Sequence, residues 1–176
     1  FRQLSEQYRR LPLLFFGTPE SDAVRVRFWS LVARLFAENF LKQIHDWCSE
    51  KGWLLTGHHV LEETCQAQIA SNGAIMPQYR YYHIPGMDHL CRTEPSPVAM
   101  TQLVSVAMQF GQKQILSESF ALSGWNINFF GLRWMFQQQF AHGVNLVCPH
   151  LSSYTLRGLR KRDYPASLFY HQPWWE

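Results

Sequence analysis

"GQKQILSESFALSGW", residues 111–125, is the stretch on which the fold turns. An apolar pair, Ile115 and Leu116, runs straight into a carboxylate at Glu118, and Phe120 and a Gly-Trp pair follow. Upstream, "SPVAMTQLVSVAMQFG" (96–111) keeps helical spacing, with Pro97 suited to a first turn and Gly111 to a stop. Downstream, "FFGLRWMFQQQFAHG" (129–143) reads as a second helix. A short apolar strand held between two helices is one step of a βαβ series.

The same grammar recurs on both sides. Apolar residues at Phe28, Leu31, Val32, Leu35, Phe36, Phe40, Ile44 and Trp47 predict a helix from Arg25 to Glu50, with Gly52 as its stop. Residues 53–55 then form a short apolar run that ends in "TGHHVLEE", "YRYYHI" (79–84) reads as a strand that ends in "PGMDHL", and "VNLVC" (144–148) ends in "PHLSSY". Strands are therefore expected to begin near residues 53, 80, 114 and 144, about 30 residues apart with helices between, which is the rhythm of a parallel α/β sheet. Their continuous apolar character agrees with burial on both faces. Residues 1–22 read as a loop with a short helical piece, and no linker divides the chain, so residues 1–176 are expected to form a single domain.

Composition narrows the function. A formal charge of +3, from 16 Lys and Arg against 13 Asp and Glu, is too mild to point to nucleic acid, and the one basic run, "RGLRKRD" (157–163), reads as a solvated loop. No apolar stretch approaches the ~18 residues that span a bilayer, so no membrane partner is expected. Cys48, Cys65, Cys91 and Cys148 have no CxxC spacing and read as free, small core residues. The chain opens on Phe1 without an initiator Met, which reads as a fragment, so a missing leader carries no information on the parent's compartment.

Polar residues fall at the carboxyl ends of all four expected strands: Thr56, His58, His59 and Glu62; Asp88 and His89; Ser117 and Glu118; and His150 with Ser152 and Ser153. Parallel α/β folds build their sites on that edge, so a shared pocket is expected there. A strand-end carboxylate beside apolar walls is poorly hydrated, which suits general acids, bases and nucleophiles. The bland alternatives are that Glu118 caps the next helix or pairs with Arg133, that Glu62 opens a helix in "LEETCQAQ", and that Asp88 closes an Asx turn. Trp125, Trp174, Trp175, Tyr154 and Tyr170 read singly as core and together as platforms for sugar rings. HExxH, GxSxG and phosphate-loop patterns do not occur, so a catalytic metal or a serine triad is not supported.

Five blocks, "TGHHVLEE", "HIPGMDHL", "ILSESFALSGW", "HGVNLVCPHLSSYTLRGLRKRDYP" and "YHQPWW", resemble in this order the C-terminal half of the catalytic barrel in bacterial glycoside hydrolases of the family 106, α-L-rhamnosidase-like type. The resemblance covers residues 25–175. It implies a partial (β/α)8 barrel, a carbohydrate substrate, and an N-terminal half of the barrel elsewhere in the parent chain, since a full barrel takes ~250 residues. It implies Glu118 as base or nucleophile at the seventh strand, with Glu62 as a second catalytic acid unless the proton donor lies upstream of Phe1. His58, His59, Asp88, His89, His150, Trp125 and Tyr154 would then bind substrate. No cofactor is expected; calcium is compatible with the family, but its oxygen ligands have no evident place in this sequence. The alternative is a half-barrel that binds carbohydrate without cleaving it.

Overall fold

The computed structural model describes residues 10–155, 157–158, 165, 168 and 172–175. Most of the basic run and of the aromatic C-terminal stretch, including Tyr170, lies outside the described residues. Helix α1 (Ser21–Phe36) passes through a π-helical turn (Ala37–Leu41) into α2 (Lys42–Glu50). There follow β1 (Thr56–Gly57), α3 (Cys65–Asn72), α4 (Met76–Tyr79), β2 (Ile84–His89), α5 (Pro97–Phe110), β3 (Leu116–Ser119), α6 (Phe129–Ala141) and β4 (Leu146–Pro149).

The four strands form one parallel sheet in the order β1-β2-β3-β4, so each strand neighbours the one before it in sequence. Helix ends are set by local chemistry. Ser96 accepts a hydrogen bond from the Ala99 N–H at the start of α5, Pro97 occupies the first turn, and Gly111 ends the helix in the left-handed conformation. Thr64 and Asn128 cap α3 and α6 in the same way. Glu118 therefore does not cap α6.

Strand side chains alternate between two unlike faces. Met87, Ser117, Ser119 and Val147 share the face that packs on helices, where Met87 joins Met100, Leu103 and Val106 of α5 in the main core and Ser119 donates to Gln139 of α6. Burying each large apolar side chain there contributes about 1.5–3 kcal/mol. Ile84, Asp88, Leu116, Glu118, Leu146 and Cys148 lie on the other face and remain partly or fully exposed. The expectation of strands buried on both faces thus holds for one face only.

The strands start at residues 56, 84, 116 and 146, two to four positions later than expected. "YRYYHI" marks the largest difference: Tyr79 ends α4, Tyr82 packs into the core, and the strand is "IPGMDH". Its aromatic residues favour strands in general, but here they fill the core beneath the sheet before the ladder begins. Of the cysteines, Cys48 is buried, whereas Cys65 and Cys148 are exposed and not core residues; all four are free.

Candidate active site

The carboxyl edge of the sheet gathers residues from every strand. Glu118, on β3, receives His58 from the loop after β1, with His58 Nε2 at 2.9 Å from Oε2, and faces His150 from the end of β4, with Nε2 at 3.9 Å from Oε1. Its neighbours in register are Asp88 on β2 and Cys148 on β4, all three on the open face. Glu118 is 29% exposed, and its ion-pair partners are these histidines rather than Arg133. A carboxylate held between two imidazoles at the mouth of a sheet can accept a proton or attack an electrophilic carbon.

Gly86 makes the span from β1 to β3 possible. In register it lies beside Leu116, and a Cβ there would stand 2.8 Å from the Gly57 carbonyl oxygen and 3.0 Å from Leu116 Cδ2. Its bare backbone lets β1 and the Leu116 side chain close over β2.

Glu62 has a different setting. It is 2% exposed, Oε1 accepts from the His59 N–H at 2.7 Å and the Tyr79 hydroxyl at 3.0 Å, and Oε2 accepts from the Asp88 N–H at 2.8 Å. Burial pushes its pKa up to about 7, against the pull of those three donors and of His58. The helix-opening alternative fails, because α3 starts at Cys65 with Thr64 as its cap. Both oxygens are committed to the backbone and to Tyr79, which is the environment of a positioning group that ties the loop after β1 to β2.

The electrostatics follow from burial and near charges. Burial by itself makes His58 less basic, but the His59 carbonyl and the carboxyl groups of Asp88, Glu118 and Glu62 outweigh it, and its pKa ends above the ordinary value. His59 is buried against the rings of Tyr79 and Tyr82, and burial with the adjacent His58 pushes its pKa down to about 4. Asp88 is raised chiefly by burial, with His58 and His150 pulling the other way. Asp88 sits within β2 and not in a turn, so the Asx-turn alternative does not describe it.

The other expected site residues differ in their settings. His89 points to the helix-covered face, where its Nε2 bonds the Thr93 carbonyl at 2.9 Å and burial lowers its pKa. Trp125 is 42% exposed in the loop after β3, and Tyr154 is fully exposed. Among the described residues no group of three His, Cys, Asp or Glu side chains could hold a metal ion. Sequence reasoning missed Tyr79, whose hydroxyl holds Glu62, because an aromatic in "YRYY" carries no mark of that duty.

Backbone strain is concentrated on the same edge. Leu61, Cys91, Phe120 and Leu122 have φ values of 58°, 68°, 84° and 59°, and all lie in the loops that follow β1, β2 and β3. Bulky residues rarely adopt this region, and nothing in their sequence pattern signals it. One hollow, of about 460 Å³, lies at the end of β2, bordered by Asp88, His89 and Ala99. A larger one of about 610 Å³ lies between α1, α3 and α4, with Trp29, Ala33, Ile69 and Pro77 in its wall, and no strand contributes to it.

Compared with known proteins, the chain matches no family model, no curated protein and no solved structure.

Proposed function

We propose that this chain is the C-terminal half of a (β/α)8 barrel glycoside hydrolase of the α-L-rhamnosidase-like type, with Glu118 as base or nucleophile. The observation that carries the reading is the meeting of His58, Glu118 and His150, from three strand ends, at one carboxyl edge. The barrel is supported by sequential strand order and by a sheet with helices packed on one face and an open, partly apolar opposite face. A doubly wound sheet reverses its order and covers both faces; a barrel keeps the order and turns the open face inward.

In this reading Glu118 accepts a proton from water as that water attacks the anomeric carbon, or attacks the carbon itself, while the bond to the leaving oxygen breaks. His58 and His150 orient its two oxygens. Glu62 holds the His59 and Asp88 backbone in place and does not donate the leaving-group proton, which then comes from the N-terminal half of the parent barrel. Asp88, beside Glu118 on the same face, binds a substrate hydroxyl.

The test is Glu118→Gln in the whole parent enzyme, assayed on an aryl α-L-rhamnoside. Turnover is expected to fall by about 10³-fold or more, with the melting temperature nearly unchanged. Unchanged turnover rejects the assignment of Glu118, and sugar binding without turnover in either protein supports the non-catalytic half-barrel instead.

A further inference from the structure

Strand β1 is two residues long, Thr56–Gly57, and the chain passes directly from it to His58, which meets Glu118. So short a strand has little ladder to hold it, and side chains fasten both of its ends. At the carboxyl end Glu62 joins the His59 and Asp88 N–H groups. At the amino end the fastening is His83, the residue before β2. Its Nδ1 accepts from the Leu55 N–H at 2.8 Å, while the Leu55 carbonyl accepts from the His83 and Ile84 N–H groups at 2.9 and 3.1 Å. A parallel ladder continued by one step would offer the Leu55 N–H the carbonyl of residue 82. The Tyr82 carbonyl instead receives the Gln112 side-chain amide at 2.6 Å, and the imidazole stands in its place.

The bond fixes the tautomer. The Leu55 N–H can only donate, so Nδ1 is bare and the proton of the neutral ring is on Nε2. Nε2 donates to Ser49 Oγ at 3.0 Å, and that hydroxyl donates to the His45 carbonyl at 2.8 Å. The His45 ring stacks on His83 at 4.3 Å, and its own Nδ1 bonds the Tyr81 carbonyl at 2.8 Å. A proton added to His83 has to go to Nδ1, where it meets the Leu55 N–H donor to donor.

We propose that His83 is a positioning residue for the Glu118 site, its unprotonated imidazole holding the amino end of β1 so that His58 meets Glu118. This rests on the reading of Glu118 as the reactive carboxylate. Burial, and then His45, hold the His83 pKa below the ordinary value of 6.5. A base held down in this way binds its proton less readily when folded, so the fastening is whole above pH 6.5 and is lost as pH falls through the lowered value. From α2 the groups that touch His83 are His45 and Ser49; on the same helix Lys42 and Asp46 pair with each other, and Glu50 and Lys51 stand with opposite charges at its end. Tyr81 lies edge-on to His45, and Leu55 and Thr56 carry no charge.

The test uses the whole parent enzyme with ring-¹⁵N histidine, followed by NMR and by hydrogen exchange of the segment 53–59. Expected at pH 7 is a His83 spectrum with Nδ1 unprotonated, and, on lowering the pH to 5, a rise of at least about 10-fold in exchange after correction for the intrinsic rate. His83→Asn keeps an acceptor near the Nδ1 position but does not titrate, so its exchange stays slow at both pH values. In His83→Ala exchange is fast at both, and His58 titrates lower than in wild type because it has moved from Glu118. A wild-type spectrum with the proton on Nδ1 overturns the proposal and needs no variant; so does an unchanged His58 titration in His83→Ala. None of these readouts depends on turnover, so a parent enzyme indifferent to Glu118→Gln would reject the glycosidase reading alone.

Discussion

Glu62→Gln should change how stability depends on pH more than it changes stability at any one pH. Burial raises the Glu62 pKa from 4.5 to about 7, so the folded chain keeps a proton that the unfolded chain releases. Its contribution is then fully present below pH 4.5 and is lost as pH rises through 7, a swing of about 3 kcal/mol. In wild type this trend is masked. His59, held down to about 4 from 6.5, gives stability present above 6.5 and lost as pH falls toward 4, with the opposite slope and similar size. The variant removes one slope and leaves the other, because a glutamine of nearly the same shape does not titrate. Urea unfolding of both proteins at a series of pH values between these limits gives the difference directly, and a constant offset from the amide facing two backbone N–H groups does not affect it. Wild type minus variant is expected to fall by about 3 kcal/mol across the range. Parallel curves, constant to within about 1 kcal/mol, would refute the reasoning and show that the three donated hydrogen bonds keep the carboxylate ionised throughout.

Two backbone predictions accompany it. Gly73→Ala places a Cβ 2.8 Å from the Ala33 nitrogen and 2.9 Å from its Cα, at a φ of +78°, so α1 and the end of α3 must separate; a loss of about 2–4 kcal/mol in denaturant unfolding is expected, and a loss below about 1 kcal/mol would contradict the packing. Leu122→Gly relieves a left-handed leucine that is 42% exposed, so stability is expected to hold or rise by up to about 1 kcal/mol, where a glycine replacing an unstrained residue lowers it. A thermal melt showing the ordinary glycine penalty would speak against strain at that position.

Much of the architecture is legible from punctuation. Pro97 and Gly111 bracket α5, and the recurrence of short apolar runs at steady intervals gives a parallel sheet in sequential order. Glu118, His58 and His150 are recognisable because they are polar residues just past apolar runs, and the structure brings them together. The strand boundaries are less legible, since Leu55, Tyr82, Ile115 and Val144 carry the apolar signal while packing at or below the entry to each strand. The duty of Glu62 is not legible at all. It depends on Tyr79 and on the Asp88 backbone, 17 and 26 positions away, and no local pattern links them.

The strain and the cross-links on the carboxyl edge explain one another. A non-glycine residue in the left-handed region costs on the order of 1–3 kcal/mol, and four such residues in three consecutive loops survive only if the surroundings over-determine their conformation. Bonds that tie one strand end or loop to the next help to do so: Cys91 N–H to the Ala121 carbonyl at 2.8 Å, His150 N–H to the Ser119 carbonyl at 2.8 Å, Asp88 N–H to Glu62, and the Arg92 guanidinium to Asn126. The opposite edge of the sheet uses glycines for its left-handed turns, Gly52 before β1, Gly111 before β3 and Gly143 before β4, and among the described residues carries no comparable strain. One edge therefore follows the cheapest backbone chemistry and the other departs from it repeatedly. That departure sits where Glu118 meets two histidines, which is the pattern expected when loop geometry is fixed by the demands of a site and the rest of the fold supplies the stability to hold it.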